Sequence, residues 1–143
     1  NKKPRVRVSL MPQRFADVLE PKMQKTIDRI NEINRLKNLG WEVHINYSPV
    51  VFSKGWEEAY DELFRMVKSI AGENKCEVIA LTNHPNQMAK ASDEAKKLMK
   101  DSCEVKSKSG VMRYPLVYKK GWLDHWVFLY TGYFNSNTIR YIF

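Results

Sequence analysis

Polar and apolar residues alternate strictly from Arg5 to Leu10, with Val6, Val8 and Leu10 on one side and Arg5, Arg7 and Ser9 on the other, the pattern of a strand with one buried face. From Lys22 to Leu39 the period changes. Met23, Ile27, Ile30, Ile33 and Leu36 fall on one helical stripe, with Pro21 at its start and Gly40 at its stop. Trp41 to Tyr47 alternates again, and after a loop containing Pro49 and Gly55 a second helix is predicted from Trp56 to Ala71. It carries Tyr60, Leu63, Val67 and Ile70 inward and ends at Gly72. Cys76 to Thr82 is a third short apolar strand, and Pro85 to Met99 reads as a weaker, Lys-rich helix. The order β-α-β-α-β-α, with connections of this length, predicts parallel strands joined by right-handed crossovers.

Beyond Lys100 the character changes. Glu104 to Lys108 and Val111 to Tyr118 flank Ser109-Gly110 and predict a β-hairpin. A Trp- and Tyr-rich helix from Trp122 to Tyr133 and a last strand from Thr138 to Phe143 complete the chain. The expectation is one domain over residues 1–143, with a half-barrel in 1–100 and the hairpin, helix and terminal strand in 101–143. Three parallel strands cannot close a barrel, and an open sheet leaves an edge that invites another chain.

The polar strand faces are the first hint of chemistry. Parallel strands buried on both faces read as nearly continuous apolar runs. These strands instead offer Ser9, then His44, Asn46 and Ser48, then Thr82 running out to His84. If the apolar faces meet the helices, the polar groups converge inside the curve near the C-terminal strand ends, where barrel enzymes place their sites. A polar lining there implies water or a ligand, and the alternative is that these groups satisfy one another or face solvent.

Composition changes the picture in two ways. The 143 residues hold 24 Lys and Arg against 16 Asp and Glu, a net +8 that favours a polyanionic partner. The only cysteines, Cys76 and Cys103, supply neither a disulfide framework nor a zinc site, and Cys76, opening an apolar strand, is expected in the core. Nor do His44, His84 and His125 form a metal pair at helical spacing, and no phosphate loop or nucleophile elbow is present. Trp122, Trp126 and Tyr130, at helical spacing, are expected in the core, and Glu57, Glu58, Asp61 and Glu62 on the wet face of the second helix. No run approaches the roughly 18 apolar residues of a membrane span, so a soluble, cytoplasmic protein without membrane contact is expected. With no methionine before Met11, the chain reads as a piece of a longer product, or as one given without its first residues.

Several segments carry a resemblance. Val8-Ser9-Leu10-Met11-Pro12-Gln13, Leu19-Glu20-Pro21 with Ile27-Asp28-Arg29-Ile30, His44-Ile45-Asn46-Tyr47-Ser48-Pro49, Gly55-Trp56-Glu57 with Tyr60, Leu63 and Phe64, and Ile139-Arg140-Tyr141-Ile142-Phe143 occur in one order. Together they resemble the C-terminal half of spore photoproduct lyase and its radical S-adenosylmethionine relatives. That resemblance implies an α/β fold: strands four to six of a partial (β/α)6 TIM-type barrel, plus a β-hairpin and C-terminal helix. It implies that Ser9 contacts the methionyl or ribose part of S-adenosylmethionine, that the backbone at Ser48 approaches the adenine, and that His84 matches a His just past the sixth strand. With Asn46, taken from the polar strand face, these make up the expected cofactor site, His84 forming its far wall. The family holds a [4Fe-4S] cluster on a Cys-x3-Cys-x2-Cys triplet absent from this chain, so the chain alone is expected to be inactive and to bind no cluster.

In the family the hairpin carries an Arg-Tyr-Gly pattern and reaches damaged DNA. Here Lys108-Ser109-Gly110 is followed by Arg113 and Tyr114, which puts lesion recognition in doubt. Lys106, Lys108 and Arg113 remain suited to phosphate contacts and Tyr114 to base stacking, against the plainer reading of a solvated basic hairpin. The leading expectation is the C-terminal portion of a radical enzyme acting on DNA. Its implied partners are the missing N-terminal, cluster-bearing half or a second copy, and DNA. The alternatives are a non-catalytic nucleic-acid-binding module and one subunit of a split enzyme.

Overall fold

The computed structural model describes residues 3–83, 92–102, 105–106, 112–113 and 116–143. Its elements follow the expected order with shifted ends. They are β1 (Arg5–Leu10), α1 (Gln13–Leu19), α2 (Thr26–Asn38), β2 (Glu42–Val50), α3 (Trp56–Ala71), β3 (Lys75–Ala80), β4 (Thr82–Asn83), α4 (Asp93–Ser102), β5 (Val105–Lys106), β6 (Met112–Arg113), α5 (Leu116–Thr131), a 3-10 turn (Ser136–Thr138) and β7 (Ile139–Ile142). Strands β1, β2, β3 and β7 form one sheet in that order, each neighbouring pair parallel. This α/β arrangement is compatible with part of a TIM-type fold.

Register sorts the residues of this sheet. Val8, Ile45, Cys76 and Ile139 stand in one row, and Leu10, Tyr47, Val78 and Ile142 in the next. Helices α2, α3 and α5 contribute Ile30, Ile33, Tyr60, Phe64, Val67, Trp126 and Tyr130 to the core that covers these rows. Aromatic rings dominate its centre: Trp126 meets Tyr47 at 5.3 Å and Phe64 at 5.1 Å edge-on, and stacks on Tyr130 at 5.4 Å. Cys76 is fully buried, as expected, and its thiol donates to the Tyr130 hydroxyl at 3.4 Å.

The departures have local causes. Helix α2 starts at Thr26 rather than Lys22, leaving Met23 59% exposed and Ile27 38% exposed. At Thr26 the first turn finds partners: its main-chain N–H donates to Gln13 Oε1 at 2.7 Å and its hydroxyl to the Met11 carbonyl at 2.9 Å. Gln13 belongs to α1, a seven-residue helix too short to show a periodic stripe, which the sequence pattern did not predict. Strand β2 continues past Tyr47 to Val50 through a bulge that includes the cis Ser48–Pro49 bond. Helix α3 has the predicted bounds, with Gly55 and Gly72 both at positive φ at its ends.

Toward the C-terminus the strand predicted to reach Tyr118 stops at Arg113 among the described residues, and the helix begins at Leu116 rather than Trp122. The Lys-rich helix is described from Asp93; its predicted beginning at Pro85 and the Ser109-Gly110 turn lie outside the described residues. The hairpin strands β5 and β6 are antiparallel, and β6 also pairs with β4. Because β4 follows β3 directly, this second sheet of order β4-β6-β5 stands at the C-terminal end of the main one.

Candidate functional site

The face of the main sheet away from the aromatic core is polar in two adjacent rows. Arg7, His44 and Lys75 stand in one, and Ser9, Asn46, Glu77 and Tyr141 in the next. Ser9 and Asn46 are therefore neighbours across β1 and β2, and Ser48 follows Asn46 by two positions along β2. Of the groups expected to converge, the register thus pairs Ser9 with Asn46, while Ser48 lies where the β2–β3 register shifts. All three are half-buried.

The main chain at this end is held from outside the sheet. Arg29, on α2, donates from Nη1 to the Ser9 carbonyl at 2.9 Å, and its Nη2 lies 3.7 Å from Glu20 Oε2. With Thr26 fixed on the Met11 carbonyl, two successive anchors set where β1 ends. Both Glu20 and Arg29 lie in the segments that carried the resemblance, which gives those segments a physical role.

The groups that dominate the face electrically were not among the predicted site residues. Glu77, 1% exposed, receives Arg7 Nε on Oε1 at 3.0 Å and Arg140 Nη1 on the same oxygen at 3.3 Å. Arg140 Nη1 also contacts His44 Nδ1 at 3.2 Å. A guanidinium has only donors, so Nδ1 accepts from Arg140, and Nε2 lies 3.3 Å from Glu42 Oε1. Glu42 is also reached by Arg5 Nε at 3.2 Å and by Lys75 Nζ at 3.6 Å. The His44 imidazole, then the Arg5 guanidinium, hold the Glu42 carboxyl down at about 2. One connected network thus spans all four strands, from Arg7 on β1 through His44 and Glu77 to Arg140 on β7.

Part of the polar face therefore satisfies itself, as the simpler reading of the sequence allowed, and this applies to the charged side chains rather than to Ser9, Asn46 and Ser48. One signal could have found Glu77: it is the single charged residue inside the apolar run Cys76-Glu77-Val78-Ile79-Ala80. A carboxylate there requires buried partners. Among the described residues, five buried polar side-chain atoms have no hydrogen-bond partner: Asn46 Oδ1, Glu77 Oε2 and His44 Nε2 on this face, and Ser53 Oγ and Trp126 Nε1 elsewhere. Asn46 and Glu77 are register partners on β2 and β3.

The remaining predicted residues fall elsewhere. His84, Lys108 and Tyr114 lie outside the described residues, as does Cys103. The main chain of Lys106 and Arg113 lies in the small sheet, where Lys106 pairs with Met112 and Arg113 with both Val105 and Thr82. Among the described residues no group of three His, Cys, Asp or Glu side chains is arranged to hold a metal ion, and no helix is long and apolar enough to cross a membrane.

Solved structures share this arrangement. Spore photoproduct lyase complexed with dinucleoside spore photoproduct matches 96% of the chain with a TM-score of 0.70 at 15% identity. A mutant of that enzyme with the same dinucleoside gives 0.69 at 15% identity, and another mutant 0.66 at 16%. The chain has the fold of part of spore photoproduct lyase. It spans about 43% of that protein's length, which is consistent with a C-terminal half. No family model matches the sequence, and no curated protein does. The likeness to spore photoproduct lyase is therefore one of fold. The donor set of this chain does not fit a [4Fe-4S] cluster: of its two cysteines, Cys76 is sealed in the core, where burial pushes its thiol up to about 11.

Proposed function

We propose that the chain is the C-terminal portion of a radical S-adenosylmethionine enzyme resembling spore photoproduct lyase. In this reading its main strands are the fourth to sixth of a partial (β/α)6 barrel. Joined to a cluster-bearing half, the barrel takes part in DNA photoproduct repair through hydrogen abstraction by a 5′-deoxyadenosyl radical. The observation that carries the reading is the match of fold over 96% of the chain to an enzyme solved with a dinucleoside photoproduct.

The residues present fit the cofactor. S-adenosylmethionine brings an ammonium group, an adenine amine and ribose hydroxyls, all donors, and the polar row offers the Ser9 hydroxyl and the unpartnered Asn46 and Glu77 oxygens. Ser9 and Asn46 would hold the methionyl and ribose parts, the backbone at Ser48 the adenine, and His84 the far wall. When bound beside a reduced cluster, S-adenosylmethionine supplies the radical; this chain's residues orient it and keep water from it. The cluster itself belongs to the partner, a separate or preceding half that would pair with the open edge of β1 and leave this chain inactive alone. Lys106, Lys108, Arg113 and Tyr114 would form the edge that meets DNA.

The deciding test is the coding sequence upstream of Asn1. An in-frame Cys-x3-Cys-x2-Cys within about two hundred codons, an ordinary barrel's worth of chain, supports the reading. Its absence, together with failure to co-purify any iron-containing partner, refutes it. The rival, a non-catalytic nucleic-acid-binding module, draws on the net +8 charge. It predicts that this chain alone binds oligonucleotides with a salt dependence that lessens in Lys108→Ala and Arg113→Ala.

A further inference from the structure

Asn46 Oδ1 and Glu77 Oε2 raise a question of accounting. Both are buried, both are hydrogen-bond acceptors, and their residues stand opposite each other on β2 and β3. Neither has a donor among the described residues. Burying an acceptor without a donor is costly, and native proteins seldom leave one in that state. The same carboxylate shows that donors are not scarce on this face: Arg7 and Arg140 both crowd onto Oε1 and leave Oε2 alone. Ser9 completes the row on the other side of Asn46.

We propose that Asn46 Oδ1 and Glu77 Oε2 form a subsite for a nitrogen donor, an ammonium, amine or imide N–H, on the ligand held beside Ser9 and Ser48. The inference rests on the cofactor reading above and adds Glu77 to it. A carboxylate oxygen paired with a neutral amide oxygen prefers a donor with two hydrogens or a positive charge. Arg7 and Arg140, by occupying Oε1, orient the carboxylate so that Oε2 is the free atom. Of the two ligands that the reading brings to this face, S-adenosylmethionine carries such a nitrogen in its ammonium or adenine amine, whereas a thymine imide has one hydrogen and could reach only one of the two acceptors.

The test is a nuclear magnetic resonance titration of the chain, following the Asn46 side-chain amide, the Glu77 carboxyl carbon and the main-chain amides of Ser9 and Ser48. S-adenosylmethionine and a thymidine dinucleotide are titrated separately, and the one that gives saturable shifts at Asn46 and Glu77 identifies the source of the donor. Asn46→Leu should weaken that ligand about tenfold, the scale of one charge-assisted hydrogen bond, with the ring-shifted core signals unchanged. An analogue methylated at the donor nitrogen should lose as much, and this second measurement stands even if the variant fails to fold. Shifts at Ser9 and Ser48 without shifts at Asn46 and Glu77 overturn the inference and leave the cofactor reading standing. No shift at any of the four also overturns the inference, while the cofactor reading is decided separately by the upstream coding sequence and the iron-containing partner. An Asn46 amide turned to donate to Glu77 would close both acceptors without a ligand. It would show as a slowly exchanging, ligand-insensitive side-chain N–H, and that outcome also overturns the inference.

Discussion

Alternate residues of the same strands build two unlike faces. On one, Val8, Ile45, Cys76, Leu10, Tyr47 and Val78 lie under α2, α3 and α5, with Trp126 and Tyr130 packed to near-zero exposure. On the other, Arg7, His44, Glu77 and Arg140 hold each other across four strands while two acceptors beside them go without donors. The aromatic face is closed by the chain's own helices and owes its stability to burial. The polar face pairs its charges through Glu77 Oε1 but leaves Glu77 Oε2 and the neutral Asn46 Oδ1 without donors. A parallel sheet is normally covered on both sides, and the function proposed above takes the polar face as the side that a cluster-bearing half and its ligand would cover.

If that division is correct, the largest loss comes from the closed face. Trp126→Ala removes a ring in contact with Tyr47, Tyr60, Phe64 and Tyr130 and should cost about 3–5 kcal/mol in urea unfolding. A cost below about 1 kcal/mol would mean the aromatic core is loosely packed and the contrast false. Glu77→Ala comes next. It strands two arginines and His44, but Arg7 and Arg140 keep 56% and 36% side-chain exposure and can recover water. The expected loss is therefore about 2–3 kcal/mol, below the full cost of breaking a dry ion pair. A neutral result would show that the network adds nothing and that the polar face is a solvated surface. Arg29→Met, which frees the Ser9 carbonyl, should cost about 1–2 kcal/mol and speed hydrogen exchange around the end of β1 without changing the aromatic core. Unchanged exchange there would remove Arg29 as the anchor of that strand end.

The same division governs what could be read in advance. Period-2 alternation in Arg5–Leu10 and the helical stripe of Trp56–Ala71 are strong signals, since each element buries one face against a large core, and both had the predicted bounds. Alternation also placed Ser9, Asn46 and Ser48 on the polar side. It could not supply Gln13 as the partner that starts α2, because that bond joins residues thirteen apart through a helix too short to carry a period. Nor could it find the Glu77 network. Arg7, His44, Glu77 and Arg140 are scattered over more than a hundred positions and meet only through parallel register and the order β1-β2-β3-β7. What was legible is local periodicity; what was missed are side-chain partners that only the topology brings together.

The smallest effect is the sharpest probe of the network's outer end. Glu42 sits at the start of β2 with Arg5, His44 and Lys75 around it, and its carboxyl is held at about 2 against an ordinary 4.5. A carboxyl depressed in the folded state favours folding wherever it is ionised in both states, so its contribution is fully present above about pH 4.5. As the pH drops, the unfolded chain takes up the proton first, and the contribution shrinks until it is gone near pH 2. The stability difference between the wild type and Glu42→Gln should accordingly be flat above pH 5 and decline steadily between 4.5 and 2. Because Glu42 is one-third exposed, that difference should also be reduced by added salt, whereas the Glu77→Ala loss, centred on a buried carboxylate, should change little. Equal salt sensitivity at the two positions would mean that the network is uniformly wet, and that the polar face is no more built than any other charged surface.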